Sequence, residues 1–215
     1  MARTSRRKPP LKPSSAGPIG RDLGRGAQRR EAIVEAAVRV IARDGVRGAT
    51  HRAVAAEADV PLAATTYYFA SRSDLVADAF RHLAEQQIDE LAAGARQLPA
   101  RMSAELAAAV LASAVADDLR LHRERIRAEH ELALEAGREP TLRALHSRWA
   151  EAALAFFATA VRAAGSPRPE LDAAIVLAII SGIELGELAD PQPQLEREIL
   201  GPMLRRVLHA LIAAP

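Results

Sequence analysis

The amino-acid sequence, 215 residues long, predicts an all-α protein. Alanine, leucine and arginine, which favour helices, dominate the composition. Only 3% of the residues are aromatic, but 49% are hydrophobic, which is enough to bury a sizeable core. Apolar residues recur at the three- and four-residue spacing of helices, and glycine and proline separate the segments. These observations favour one large or two small helical domains.

The N-terminal stretch is strongly basic, although the net charge of the whole chain is only +2. Nine basic residues stand among the first thirty, against a single acidic residue, Asp22. Residues 1–24 are also rich in proline, glycine and serine, so we expect a disordered basic arm. Two interpretations stay open: a solvated tail, or an arm that adds phosphate or minor-groove contacts to DNA.

The first helix is expected over residues 27–44, with Gly45 as its stop. Its inner apolar stripe consists of Ile33, Ala37, Val40 and Ile41.

Residues 50–75 predict two very short helices joined by a tight turn, followed by the start of a long helix. Thr50 suits the N-cap of the first short helix, and Asp59 falls where the turn needs a residue that tolerates positive φ. Ser71 and Asp74 form a capping box that opens the long helix. This arrangement is typical of a helix-turn-helix.

The second short helix has an inner and an outer face. On a helix begun at residue 61, one residue adds about 100° of rotation. The expected inner residues are Leu62, Thr65 and Phe69, and the outer ones are Ala63 and Tyr67, flanked by Thr66 and Tyr68. A helix of two turns is not stable alone, so the inner residues are expected to pack on neighbouring helices.

Residues 28–84 resemble the DNA-binding domain of the TetR family of bacterial transcriptional regulators. The matching segments are RREAIVEAAVRVIARDGVRGAT, HRAVAAEADVP and TTYYFASRSDL. The resemblance implies a three-helix helix-turn-helix domain, placed at residues 25–72, and a helical effector-binding and dimerisation domain at residues 73–215. The family commonly has glycine at the positions of Asp59 and Ala63 and an aromatic residue at Thr66, so its base preference is not carried over.

The outer face of the second short helix supplies the candidates for DNA contact. Small residues permit close entry to the major groove, and hydroxyl groups reach base edges or phosphates. We expect base contacts from Ala63, Thr66 and Tyr67, and phosphate contacts from Thr50, Arg52, Tyr68 and Arg72. For Tyr68, partial burial in the core remains the alternative.

The remainder of the chain predicts six further helices. They are expected over residues 73–96, 99–116, 118–136, 140–165, 170–189 and 194–213. The first of them begins in the DNA-binding part and ends in the C-terminal part. This helix is therefore expected to transmit movement between the two parts.

Six polar or aromatic residues on otherwise apolar faces are the candidates for an effector pocket. They are His122, His130, His146, Trp149, Phe156 and Glu184. Pockets are mostly apolar with a few convergent polar groups. For each residue alone, a role in the core is the simpler interpretation. Together they favour a pocket for a small, largely apolar effector, because the family binds effectors in this domain.

The last two helices carry a different signal. The first of them shows small residues at i, i+4 and i+8, which permit close approach of another helix, and the second repeats leucines. The dimer-interface candidates are Ala178, Gly182, Gly186, Leu204, Leu208 and Leu211. Ordinary intramolecular core is the alternative, but we expect a four-helix dimer interface, which the resemblance also implies.

Several other classes of function find no support in the sequence. There is no cysteine, no nucleophile elbow, no P-loop and no dinucleotide fingerprint, so we expect neither an enzyme nor a cofactor. Asp118 and His122 stand four residues apart but lack a third convergent ligand, so no metal is expected. The longest apolar run, residues 173–183, is shorter than the roughly 20 residues of a membrane span.

The sequence therefore predicts a cytoplasmic, homodimeric repressor that binds a pseudo-palindromic operator in double-stranded DNA and is released by a small-molecule effector. One alternative is an activator or a regulator without a ligand. Another is a helical module that binds lipids or small molecules. A helical enzyme is the least favoured interpretation.

Overall fold

The computed structural model describes residues 19–213, with side-chain environments from residue 26 onwards. These residues form nine α-helices and one π-helical turn, and no strand. The helices are α1 Ile19–Gly48, α2 His51–Glu57, α3 Leu62–Tyr68, α4 Arg72–Gln97, α5 Ala104–Leu121, α6 Arg123–Ala136, α7 Pro140–Ala163, α8 Pro169–Ala189 and α9 Gly201–Ala213, with the π-helical turn at Glu196–Leu200. The predicted all-α class is confirmed.

The local signals at the N-terminal helices act as predicted. The Thr50 hydroxyl accepts a hydrogen bond from the Ala53 amide at 3.2 Å and caps α2. Asp59 has a φ of 52°, and Gly45 interrupts α1 with a φ of 71°. Ser71 and Asp74 form the complete capping box at the start of α4.

Two hydrophobic cores hold the helices together. In the first, α1, α2 and the N-terminal half of α4 pack around residues such as Ile33, Val40, Leu75 and Phe80, and α6 and α7 also contribute. The second joins α5, α7, α8 and α9. The predicted domain boundary lies between residues 72 and 73. Because α4 supplies much of the first core, the two cores do not separate at this boundary. The division into domains therefore stays a prediction.

The predicted arm, residues 1–24, is only partly described. Residues 1–18 lie outside the described residues, so the prediction for them is untested. Residues 19–24 were also predicted to belong to the arm, but they form the first turns of α1. The boundary between arm and helix is therefore wrong by about six residues.

Three helix boundaries also differ from prediction. A break falls at His122, where φ is −130° and ψ is 29°, rather than near residue 117. No glycine or proline marks this break, and Arg125 on α6 reaches back to hydrogen-bond Asp118 on α5 across it. Helix α5 begins at Ala104, where the Ser103 hydroxyl accepts from the Leu106 amide, so Pro99 lies in the linker. The last predicted helix is divided by the π-helical turn.

The helices between residues 19 and 213 do not include a candidate membrane span. None of them combines the required length with the required apolar character.

Candidate functional sites

Helix α3 is docked on the protein by one side. Phe69 just after it is buried, and so is Thr65, whose hydroxyl donates to the Leu62 carbonyl at 2.8 Å. Val54 and Ala55 are the buried residues of α2. The prediction that Leu62 packs inward is wrong, because 46% of this residue is exposed. Thr65 and Phe69 therefore carry the docking, and Leu62 lies at the open first turn.

The opposite side of α3 faces solvent. Tyr67 is 82% exposed, and Ala63 and Thr66 are exposed beside it. Thr50 and Arg52 at the start of α2 are also exposed. Arg72 at the start of α4 is exposed too, so the structure leaves six of the seven predicted DNA-contacting residues open to a partner.

Tyr68 and Arg72 are more closely tied to the protein. The Tyr68 side chain is half-buried against the first core, near Gly26, and its ring lies 5.0 Å from that of Tyr67, edge to face. The Arg72 guanidinium donates to the Val46 carbonyl near the end of α1. Both residues therefore help to position α3 and α4, whatever they contact in DNA.

A cavity of about 350 Å³ opens among α4, α5, α6, α7 and α8. Its volume lies within the usual range for small-molecule sites. Apolar and aromatic side chains form much of its wall, namely Leu91, Leu111, Val115, Leu121, Trp149, Ala153, Phe156, Phe157, Leu177 and Ile180. Gly94 on α4 is also part of the lining, and a Cβ atom there would lie 3.2 Å from Phe156. Helix α4 thus forms one wall directly.

Four of the six predicted effector residues line this cavity. They are His122, Trp149, Phe156 and Glu184. The other two do not. The His130 Nε2 atom lies 3.6 Å from Glu184 Oε2, and the His146 ring packs edge to face on Trp149 with its centroid 5.5 Å away. Burial lowers the pKa of His146. These two histidines therefore support lining residues rather than line the cavity.

Sequence reasoning missed most of the charge in the cavity. Besides Glu184, the lining contains Glu90, Asp117, Asp118 and Glu129, together with one arginine, Arg125. The misplaced helix break is one reason, because it assigned Asp118 to the wrong helix. A signal did exist for Glu129, which stands three residues from both Ile126 and Leu132 on an apolar face.

Arg125 contacts carboxylates from three helices. Its Nη1 atom lies 2.7 Å from Glu90 Oε2 on α4, and its Nη2 atom donates to Asp118 on α5. Its Nε atom lies 3.6 Å from Glu129 Oε1 on the same helix, which is too far for a hydrogen bond. The cluster is therefore only partly satisfied.

Burial strongly affects two of these carboxyl groups. It raises the pKa of Glu129 to about 8, against the opposing effect of Arg125 and with added repulsion from Asp118, Glu184 and Glu90. Burial also raises the pKa of Asp118, again opposed by Arg125. Within the described residues, Glu129 Oε1 and the Trp149 indole N–H are buried without a hydrogen-bond partner. An acceptor and a donor thus remain free in the cavity wall.

Metal binding finds no support in the part of the chain that the structure describes. No group of three or more histidine and carboxylate side chains there has the arrangement needed to hold an ion. The Asp118 and His122 pair instead contributes to the cavity.

The dimer-interface candidates divide into two groups. Ala178, Gly182 and Gly186 on α8 are exposed. Leu204 and Leu208 on α9 are fully buried against the second core, so they have no surface to offer a partner and their prediction is wrong. Leu211 is half-buried in the same core.

Exposed apolar residues continue the α8 group into a strip along the helix. At intervals of three or four residues it contains Leu171, Ile175, Ala178, Gly182 and Leu185, with Gly186 beside it. A Cβ atom at Gly182 or Gly186 would meet nothing within 4 Å. These glycines therefore serve no close packing inside the subunit.

Comparison with known proteins identifies the chain. The sequence profile described as "Bacterial regulatory proteins, tetR family" matches residues 33–79. The profile "Tetracyclin repressor-like, C-terminal domain" matches residues 102–213, which is more than half of the chain. The chain belongs to the TetR family. This confirms the resemblance, and the protein is a helix-turn-helix transcriptional regulator of that family.

Solved structures of similar proteins agree with this assignment. The multidrug binding protein EbrR complexed with proflavin is 35% identical over 86% of this chain and 99% of that one, with a TM-score of 0.59. EbrR complexed with ethidium is 36% identical over 86% and 98%, with a TM-score of 0.62. A TetR-family member from Streptomyces coelicolor A3, SCO1917, is 34% identical over 87% and 99%, with a TM-score of 0.64. A comparison with curated protein sequences finds no match.

The raised pKa of Glu129 predicts how the stability of this TetR-family protein depends on pH. Between the ordinary carboxyl pKa of 4.5 and about 8, the folded protein keeps a proton that the unfolded chain loses. Stability therefore falls as pH rises through this window, by up to about 1.4 kcal/mol per pH unit. Glu129→Gln, which cannot ionise, should melt higher than wild type, and the difference should grow from pH 5 to pH 8.5.

Glu124→Gln is the matched control, because it removes an exposed carboxylate from the same helix. Thermal melts at fixed protein concentration measure both variants. An E129Q advantage that stays constant across this pH range would show that Glu129 ionises normally.

Proposed function

We propose that this TetR-family regulator is a homodimeric repressor that acts in the cytoplasm, binds a pseudo-palindromic operator and is released by a small aromatic cation. The observation that carries the effector class is the cavity, whose lining contains five acidic side chains, one arginine and three large aromatic side chains. The exposed face of α3 supports the DNA-binding part of the proposal, and the α8 strip supports the dimer.

Operator binding follows from the position of α3. Its docked side leaves Ala63, Thr66 and Tyr67 open, which suits entry into a major groove. In a dimer with two-fold symmetry, two copies of α3 would enter successive major grooves about 34–36 Å apart. The operator would then consist of two inverted half-sites.

The α8 strip is the proposed dimer interface. Monomeric proteins rarely expose a continuous apolar strip of this kind. The small residues Ala178, Gly182 and Gly186 would let a partner helix approach closely, and Leu171, Ile175 and Leu185 would supply apolar contact area. The buried leucines of α9 belong to the second core, to which the inner face of α8 also contributes.

The cavity suits a flat, positively charged ligand. Trp149, Phe156 and Phe157 offer aromatic surfaces to a ring system, and cations are attracted to aromatic faces. The carboxylates favour positive charge. Proflavin and ethidium, with which EbrR was crystallised, are planar aromatic cations. We therefore replace the largely apolar effector of the sequence prediction with an aromatic cation.

Helix α4 connects the cavity to the DNA-binding surface. Its N-terminal half packs in the first core through Leu75 and Phe80, and its C-terminal half lines the cavity through Gln87, Glu90 and Gly94. A ligand that pushes on this wall would change the separation of the two α3 helices. It can do so only by binding the DNA-incompetent state more tightly.

The DNA-binding part is tested by the exposed aromatic of α3. Tyr67→Ala should weaken operator binding by about 1–3 kcal/mol without changing the melting temperature, because Tyr67 is largely exposed. Tyr68→Ala is the matched comparison, and it should lower the melting temperature because Tyr68 is half-buried. Fluorescence anisotropy with labelled DNA that flanks the gene measures affinity, and added ethidium should release wild-type protein from it.

An unchanged affinity in Y67A together with a lower melting temperature would show that Tyr67 belongs to the core. Failure of the wild-type protein to bind any sequence in the flanking DNA would contradict the repressor proposal itself.

The dimer is tested by a matched pair of exposed leucines. Leu185 is 58% exposed on the α8 strip, and Leu134 is 67% exposed on a different helix, α6. Leu185→Arg should yield monomers in analytical ultracentrifugation, since it places a charge in an apolar interface. Leu134→Arg should leave the dimer intact. A dimer that survives L185R but is lost in L134R would place the interface elsewhere.

A further inference from the structure

The Arg125 side chain lies where the charge of a bound cation would have to lie. It is only 17% exposed, and its guanidinium reaches Glu90, Asp118 and Glu129 from three different helices. These three residues are also three of the five carboxylates that line the cavity. An incoming cation and Arg125 would therefore compete for the same oxygen atoms.

Arg125 does not satisfy all of the buried hydrogen-bonding groups in this cluster. Its Nε atom is buried without a hydrogen-bond acceptor in the described part of the chain, and so is the nearby Glu129 Oε1 without a donor. Buried polar groups that lack partners destabilise the arrangement that contains them. A ligand cation could satisfy Glu129 while Arg125 moves towards solvent, because the cavity is open.

We propose that Arg125 is an internal substitute for the effector, that a bound aromatic cation displaces it, and that loss of its contact with Glu90 frees α4. This inference rests on the proposed function of the cavity. It adds the residue that couples ligand binding to helix movement.

The position of the Glu90–Arg125 pair supports this coupling. Glu90 belongs to α4, whose N-terminal half packs with the DNA-binding helices. Arg125 belongs to α6, and Ala128 and Leu132 on that helix pack into the same core as α1. The pair thus joins, at the cavity, two helices that both pack in the first core together with α1 and α2. Breaking it removes a direct link between them.

Two cations cannot share this site without strong repulsion. Charges a few ångströms apart interact much more strongly in a partly buried site than in water. Glu184 could balance one additional charge, and so could Glu129 once it loses its proton, but Glu90 and Asp118 are already engaged by Arg125 and Asp117 by Arg120. Displacement of the arginine is therefore the arrangement that lets a cation lie deep in the cavity.

The test compares Arg125→Met with wild type, using ethidium fluorescence for ligand binding and anisotropy for operator binding. Methionine keeps much of the side-chain volume but removes the competing charge. R125M should bind ethidium at least about tenfold more tightly, and it should bind operator more weakly even without ethidium. Arg138→Met is the matched control, because Arg138 pairs with Glu135 at the surface and lies outside the cavity lining. It should behave as wild type in both assays.

Arg125→Lys keeps the proposal testable if R125M folds poorly. Lysine retains the charge but lacks the planar fork that reaches two carboxylates, so an ethidium affinity between those of wild type and R125M is expected. Wild-type binding with unchanged or weaker binding in folded R125M or R125K would overturn this inference alone. Absence of ethidium binding by wild type would overturn the proposed effector class, and this inference with it.

Discussion

The ion cluster around Arg125 is the constraint on which the C-terminal part of this molecule depends. A single guanidinium holds carboxylates from α4 and α5 and approaches another on α6, in a cavity walled by apolar side chains. A partly buried cluster of this kind is weak evidence for stability, since desolvation opposes the attraction between its charges. It is better suited to specify an arrangement that another cation can change. The pKa of Glu129 is raised because burial, which disfavours its charged form, outweighs the attraction of one arginine.

Helix α4 connects that cluster to the DNA-binding helices. The capping box at Ser71 and the bond from Arg72 to the Val46 carbonyl fix its N-terminal end to the DNA-binding helices. Farther along, Gly94 allows the helix to lie against Phe156 in the cavity wall. The helix is thus held at one end by the unit that presents α3 and at the other by groups that a ligand would touch. A change at one end has a direct path to the other.

Sequence reasoning predicted the parts of the molecule that depend on local chemistry. The Thr50 cap, the positive φ at Asp59 and the capping box need only neighbouring residues, and all three are present. The exposure of Tyr67 followed from helical periodicity, because one face of a short helix must dock. Leu62 is the exception. Helical periodicity places it on the docked face of α3, but neighbouring helices do not cover the first turn of this short helix.

The charged cavity could not be predicted as easily, because it depends on contacts between distant helices. The break at His122 has no glycine or proline signal. The pairing of Glu90 with Arg125 joins positions 35 residues apart. Burial of Leu204 and Leu208 likewise depends on how α9 packs against α5, and a leucine repeat fits a subunit core as well as a dimer interface. Aromatic candidates such as Trp149 and Phe156 could be predicted because helical periodicity places them on otherwise apolar faces.

Selectivity of the cavity for positive charge tests this account most directly. Proflavin and acridine share one flat ring system, but at pH 7.5 proflavin is a cation and acridine is neutral. Isothermal titration calorimetry on the wild-type protein should give proflavin at least about a tenfold lower Kd, equivalent to about 1.4 kcal/mol. The preference should shrink in Glu90→Gln, which removes one carboxylate from the cavity. Equal affinity for the two compounds, or tighter binding of acridine, would contradict the account.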